Sequence, residues 1–384
     1  MNGIGRLEGV GSRRSTSLSF RRGLAVDMKL LVAVVAIVTA GLVNLYSATS
    51  VYADTATRAR LADIYVSQVY WMVVGGLLAI LVAAIDYRHY ERFAGVLYAG
   101  GILSLGLVFI LGSDIRGSSR WIQLGSFTFQ PSEFMKVLLV MMVARHVHND
   151  NKTEPRTLVD LAIPGLLISV PVGLVMIQPD LGTGLIMSLS SATILLMTRI
   201  RRRTLLAIVA GAGTAIPLAW TYAMKQYQKD RITSFLDPEH DKTGIGWHAL
   251  QSQTAIGNGQ LVGEGFMQGT QNQFGFLPDQ FSDFPFAVFA EDWGFLGCLA
   301  LIGLYCFLCV YAIHVASQAK DRFGAALATG VGALIFWHAV FNIGMAIGVL
   351  PVVGVTLPLF SYGGSSVVTT MIGLGLLMNV SMRR

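Results

Sequence analysis

Ten apolar stretches dominate the 384-residue chain, at 28–48, 67–85, 93–112, 133–148, 160–178, 180–198, 204–223, 285–316, 323–349 and 364–381. Most approach the roughly 20 residues that a helix needs to cross a hydrocarbon core, although spans four, five and six are short or Pro-broken. Their apolar residues run continuously rather than alternating, which selects a helical bundle over a β-barrel, the two backbones that can span lipid. Charged residues make up 13% of the chain, against roughly 25% in soluble domains. The expected fold is an all-α integral membrane protein: a ten-span helical bundle with a long structured outer loop between spans seven and eight. Pro171 should kink the fifth span, and the eighth and ninth are long enough to tilt. Cys298, Cys306 and Cys309 share one apolar run, so neither a disulfide framework nor a zinc site is expected.

Basic residues in the connections orient such a chain. With the N-terminus inside, the inner segments carry 18 Lys and Arg and the outer segments eight, while Lys29 and Lys136 lie within spans. Both termini are then cytoplasmic. Residues 1–27, with Arg6, Arg13, Arg14, Arg21 and Arg22, form a basic tail ahead of a single polytopic domain over 28–384. The apolar run after the tail is too long for a signal-peptide core and reads as an uncleaved first span. Between Lys225 and Gly294 lie nine of the 22 acidic residues and four of the 28 basic ones, near −5 against +11 for the remainder. This acidic, Gly-rich region, about 224–284 as a loop, falls outside the membrane and is where surface chemistry is expected.

Asp283 is the sharpest candidate there. Ser282-Asp283-Phe284-Pro285 opens the eighth span, which leaves two readings. One is a helix N-cap, favoured by Asp and announced by Pro285. The other is a carboxylate at the water–membrane boundary that takes a proton from a hydroxyl. Asp279, four residues earlier, could serve instead. Glu291 and Asp292 lie two turns deeper, where an acid has to be paired or functional. Glu133 and Lys136 share one face of the fourth span, either as an internal ion pair or as the polar floor of an outward-facing cavity. Arg116, Arg120 and Arg231 are the outer arginines beyond the first outer loop. Arg120, beside Trp121, suits phosphate recognition or plain solvation.

Gln130-Pro131-Ser132-Glu133 and Gln178-Pro179-Asp180-Leu181 each place Pro at the first turn of a helix entering from outside, and Ser361-Tyr362-Gly363-Gly364-Ser365-Ser366 opens the tenth span. Together with the start of the eighth span, four helix N-termini face outward, as ordinary caps or as a cradle for an anion such as pyrophosphate. Asp180 reads most simply as a first-turn dipole partner. His338 and Asn342, at i and i+4, read as an interhelical hydrogen-bonding pair. The other histidines show no metal-ligand spacing. No P-loop, dinucleotide fingerprint or Gly-x-Ser-x-Gly is present, so nucleotide-driven transport and serine hydrolysis have no support.

Further motifs occur in order along nearly the whole chain from Asp27: Asn44 to Thr49, Gly117 to Trp121, Gln178 to Thr183, Tyr227-Gln228 with Arg231, and Gln251-Ser252 with Ala255-Ile256-Gly257. Gly269-Thr270-Gln271 with Phe276-Leu277-Pro278, Asn342 to Met345, and Leu350 to Gly354 complete the series. With these the chain resembles the SEDS family (shape, elongation, division and sporulation proteins), in its RodA branch. The family's catalytic acid stands in Leu-Pro-Glu-x-His-Thr-Asp-Phe, and the matching residue is Asp283. Asp279 replaces the Glu, Phe281 the His and Ser282 the Thr.

The resemblance implies a multi-pass protein of the bacterial cytoplasmic (inner) membrane with its active site on the outer face. It implies a glycosyltransferase that polymerises lipid II onto a growing glycan strand, beside a class B penicillin-binding protein transpeptidase of the elongation machinery. No nucleic acid is involved. An α-linked donor and a β-1,4 product require inversion. Asp283 is then the expected general base, with Arg120, Lys136 and Arg231 on the leaving pyrophosphate and Glu133 positioning Lys136. Asp279 and Ser365 complete the expected substrate-binding set. No protein-held metal site is expected, and a divalent cation such as Mg2+ is the only cofactor in view. Two other classes stay open: a lipid II flippase, and a non-enzymatic scaffold for cell-wall synthases.

Overall fold

A computed structural model describes residues 26–50, 55–115, 118–124, 127–238, 241, 244–277 and 279–384. Nearly all of the basic tail (1–25) and Arg116 lie outside the described residues. Each of the ten apolar stretches is helical. In chain order these helices are α1 (Met28–Ser50), α2 (Thr55–Ala84), α3 (Tyr87–Leu111), α4 (Pro131–Asn149), α5 (Ala162–Ile177), α6 (Leu181–Leu196) and α7 (Arg202–Leu218). Three short helices follow, α8 (Gln226–Leu236), α9 (Ile245–Asn258) and α10 (Thr270–Gln273). The last three are α11 (Pro285–Ser317), α12 (Arg322–Ala346) and α13 (Gly364–Arg383).

Seven of the ten are long and apolar enough to cross a membrane, whereas α5 and α6 have 16 residues each and α4 carries Glu133, Lys136 and Arg145. α2 starts twelve residues before the expected 67 because its polar first turns extend the helix beyond the apolar run. α3 starts at Tyr87 because the Asp86 carboxylate accepts the Arg88 N–H at 3.0 Å.

One expectation fails. The chain is mostly helical but not all-α: β1 (Gly112–Ile115), β2 (Ser118–Leu124) and β3 (Phe127–Phe129) form an antiparallel sheet in that order. Gly112 pairs with Ile122 and Ile122 with Phe129. In the connection between the third and fourth spans, Trp121-Ile122 and Phe127-Thr128-Phe129 are good strand formers. The sheet packs over the start of α4, where the Phe129 and Phe134 rings lie 4.8 Å apart.

Burial separates centre from rim. In the apolar windows of α12 and α13, 72% and 78% of residues are buried, against 6% in α7. α4 is also largely buried, between α3, α6 and α12. The outward faces of α2, α3, α5 and α7 are apolar, with Leu77, Val96, Ile163 and Val209 all exposed, as a lipid-facing surface requires.

α11 is broken where a continuous tilted span was expected. Gly294 has φ +64°, and the freed backbone groups around it bond the loop 259–265. Glu264 N–H donates to Glu291 O (2.9 Å), Gly265 N–H to Asp292 O (3.2 Å), and Phe295 N–H to Gln260 O (2.9 Å). Irregular backbone at membrane depth survives only when protein satisfies it, and here the broken helix and the loop satisfy each other. The two deep acids are paired as well: Glu291 accepts from the N–H groups of Gln271 and Asn272, and Asp292 from Ser47 Oγ. Gly263, at φ +86°, admits no side chain, since a Cβ would fall 2.2 Å from Asp292 O. Gly263→Ala should destabilise the fold by about 2–4 kcal/mol through strain and overpacking. Thermal unfolding in detergent reads this, and an unchanged unfolding temperature would contradict the interlock.

Candidate active site

α4, α6, α11 and α13 begin, and α12 ends, around a cavity of about 550 Å³. Its wall includes Arg120, Glu133, Arg231, Asp279, Asp283 and Ser365. Only Lys136, of the residues singled out for substrate, is not on that wall.

Asp283 sits on a tight turn set by Asp279, which adopts φ +45°. The Asp279 carbonyl accepts the N–H groups of Ser282, Asp283 and Phe284 at 3.1, 3.0 and 3.3 Å. Phe284 occupies the cap position of α11, and no side chain caps that helix. The N-cap reading of Asp283 therefore does not hold, and its half-buried side chain lines the cavity instead. The Asp283 carbonyl accepts from Asn342 Nδ2 at 2.9 Å, and the same amide reaches Val355 O at 2.8 Å. Asn342 thus ties the turn to the α12–α13 connection. Gly354, at φ +71°, lies so close that a Cβ there would be 3.4 Å from Asp283 Oδ2.

Two arginines face this carboxylate region. Arg231, on α8, donates from Nη1 to Val353 O at 2.9 Å. Burial lowers its pKa from the usual value and the Arg120 charge adds to this, while Asp283, Tyr227 and Asp180 oppose it. A guanidinium starts so high that it stays charged. Arg120, on β2, lies 3.5 Å from Asp180 Oδ1, and its buried Nε has no hydrogen-bond partner among the described residues.

Asp180 was read as a dipole partner, and it does cap α6 through Thr183 N–H at 3.3 Å. It does more. Its other oxygen accepts from Gln130 Nε2 (3.1 Å) and Ser132 Oγ (3.3 Å), so one buried carboxylate joins α4, α6 and the Arg120 strand. Ser365 Oγ accepts the Gln130 N–H at 3.3 Å and links α13 to the same cluster. Of the four helix starts around the cavity, only α6 carries a side-chain cap.

Below them runs a buried chain. Lys136 Nζ is 2.8 Å from Glu133 Oε2 and 2.9 Å from His338 Nε2, and His338 Nδ1 is 3.0 Å from Thr356 O. An ammonium only donates and a carbonyl only accepts, so His338 is the neutral tautomer with its proton on Nδ1. Glu133 and His338 reach the cavity, and Lys136 is held beneath it. Both earlier readings of Glu133 and Lys136 thus apply in part: the ion pair is internal, and its acid forms floor. His338 and Asn342 bond the backbone of the α12–α13 connection. The sequence signal for that role was two polar residues one helical turn apart inside an apolar run. Among the described residues, no group of three or more His, Cys, Asp or Glu could hold a metal ion.

Residues 28–384 match the family model of the FtsW, RodA and SpoVE proteins, described as cell cycle proteins. The chain is 40% identical over 313 residues to the peptidoglycan glycosyltransferase MrdB of Escherichia coli K12, covering 82% of this chain and 84% of that one. To the peptidoglycan glycosyltransferase RodA of Treponema pallidum it is 30% identical over 429 aligned positions, covering 93% and 98%. A chain solved in work on structural coordination of polymerization and crosslinking by a peptidoglycan synthase complex superposes with a TM-score of 0.80, at 33% identity over 93% of this chain and 98% of that one. The rod shape determining protein RodA of Thermus thermophilus superposes with a TM-score of 0.68, at 29% identity over 93% and 97%.

Proposed function

The chain belongs to the FtsW, RodA and SpoVE family of cell cycle proteins, the SEDS proteins, and from that premise we propose that its cavity polymerises lipid II with Asp283 as the general base. The protein is a peptidoglycan glycosyltransferase, as its relatives are named. The acceptor's 4-hydroxyl loses its proton to Asp283 and attacks the anomeric carbon of the lipid-linked donor. The carbon–oxygen bond to undecaprenyl pyrophosphate breaks on the opposite face, and the centre inverts. Charge grows on the leaving pyrophosphate, where fixed cations stabilise most. Arg120 and Arg231 serve that role directly, with Nε of Arg120 a spare donor and three uncapped helix starts adding N–H groups. Lys136 acts through Glu133 and His338, keeping the floor rigid and polar.

The step as written uses no resident cofactor. A divalent cation such as Mg2+, where one is used, would be held by Asp279 and would supply further positive charge for the leaving group, since such a cation keeps most of its waters and needs few protein ligands. All ten long helices cross the membrane, both termini lie in the cytoplasm, and the cavity opens outward through the loop 224–284. Residues 28–384 act as one domain behind the basic tail. The elongation machinery, with a class B penicillin-binding protein, takes up the glycan product.

The observation that carries this reading is the meeting of Asp283, Arg120 and Arg231 on one cavity at the end of the bundle. Purified protein in detergent, given labelled lipid II, tests it. Detergent removes any membrane to flip across, so glycan polymer supports the enzyme over the flippase. No polymer with or without the partner would reject the enzyme and leave the flippase and the scaffold. Asp180→Asn should lower the polymerisation rate about tenfold to a hundredfold, because it removes the ion pair that holds Arg120, and misplacing a group that positions the reaction by about 1 Å costs on that order. The loss should fall on kcat more than on KM, whereas a merely structural role would shift the unfolding temperature alone.

A further inference from the structure

At the opposite end of the bundle, the last turns of α4 and α6, the first turn of α12 and the segment 152–156 enclose a second pocket of about 440 Å³. Eight basic residues stand here in sequence over 150–160, 197–203 and 320–322, against four acidic ones. Three guanidinium groups line the pocket: Arg156, Arg199 and Arg322. Arg156 is buried to 7% exposure, and its backbone exchanges bonds with Arg199 O (2.7 Å) and Arg201 N–H (3.0 Å), which fixes it beside Arg199. Its Nε and Nη2 both donate to Asp150 Oδ2, leaving Nη1 without a described partner. Arg322 Nη1 donates to Asp150 O at 3.2 Å, and the exposed Arg199 guanidinium makes no ion pair or hydrogen bond with another described residue.

The rest of the lining combines Lys152, Thr153, Glu154 and Thr198 with an apolar strip of Val147, Met197, Ala325 and Ala326. Met197 is 51% exposed and adjoins Leu196, 60% exposed on the lipid-facing side of α6. A free anion has no use for that floor, whereas a phospholipid has both a phosphate for the arginines and a chain for the apolar strip. Basic pockets between helix ends on the cytoplasmic side suit anionic headgroups.

We propose that this pocket binds an anionic phospholipid of the inner leaflet, its phosphate on Arg156, Arg199 and Arg322 and the start of an acyl chain along Met197. The occupied site clamps the inner ends of α4, α6 and α12, the helices whose outer ends carry Glu133, Asp180 and Asn342.

The test titrates three probes into the purified full-length protein in an uncharged detergent: dioleoyl phosphatidylglycerol, dioleoyl phosphatidylcholine and sodium phosphate. The readout is the unfolding temperature, which a ligand of the folded state raises. Phosphatidylglycerol should raise it, and the other two should not. Arg199→Gln should shift the half-effect concentration upward about fivefold, and adding Arg322→Gln about fivefold more, the usual effect of one basic residue at a lipid surface. Because the Arg199 side chain has no partner to lose among the described residues, that single variant carries the test if the double variant fails to fold. An equal rise with phosphatidylcholine, a full rise with phosphate alone, or an unchanged half-effect concentration in Arg199→Gln would overturn the site.

Discussion

Asp283→Asn is expected to lower lipid II polymerisation by about 10²–10⁴-fold, the usual contribution of a positioned general base. The substitution keeps size and shape and removes the carboxylate charge, and with it the capacity to take a proton. The main-chain bonds of the turn do not use the charge: the carbonyl of residue 283 still accepts from Asn342, and the Asp279 carbonyl still gathers the same three N–H groups. The unfolding temperature should therefore stay close to that of the wild type. Asp279→Asn, assayed without added divalent cation, is the matched comparison. That residue holds the turn by a left-handed backbone that Asn also tolerates, so its loss should be far smaller. Initial rates of polymer formation at saturating lipid II decide between them. An Asp283→Asn protein that folds and keeps more than about a tenth of the wild-type rate would reject the assigned base.

Lys136→Met is the second large effect, and it falls on stability. Lys136 and Glu133 have side chains only 4% and 9% exposed, and the ammonium also satisfies the His338 lone pair. Removing one partner of a buried pair leaves the other charge uncompensated, at a cost of about 3–5 kcal/mol. Replacing both as Glu133→Gln with Lys136→Met removes the stranded charge and should recover part of that loss. Denaturant or thermal unfolding of the wild type, Glu133→Gln, Lys136→Met and the double variant measures the coupling as a double-mutant cycle. Additive losses would show that the pair contributes nothing as a pair.

These two expectations draw on different kinds of information. Asp283 could be found in the sequence because turn chemistry is local: an acid two residues before Pro285 at the outer edge of an apolar run marks a boundary carboxylate. The ten helices were legible for a similar reason, since uninterrupted apolar length in lipid permits little else. The strands at 112–129 were missed because three short pairing segments fell between two conspicuous spans.

The sequence by itself determined the helical frame and the place of Asp283 just ahead of Pro285 at the start of α11. The tertiary structure alone decided which polar groups meet: Lys136 with His338, 202 positions apart, and Ser47 with Asp292, 245 apart. The physical reason is that a span apolar on every side carries no amphipathic phase, so its rotation is set only by the neighbours it packs against. That rotation makes Asp180 a hub, gives His338 its neutral form, and turns the break at Gly294 into a seat for the loop.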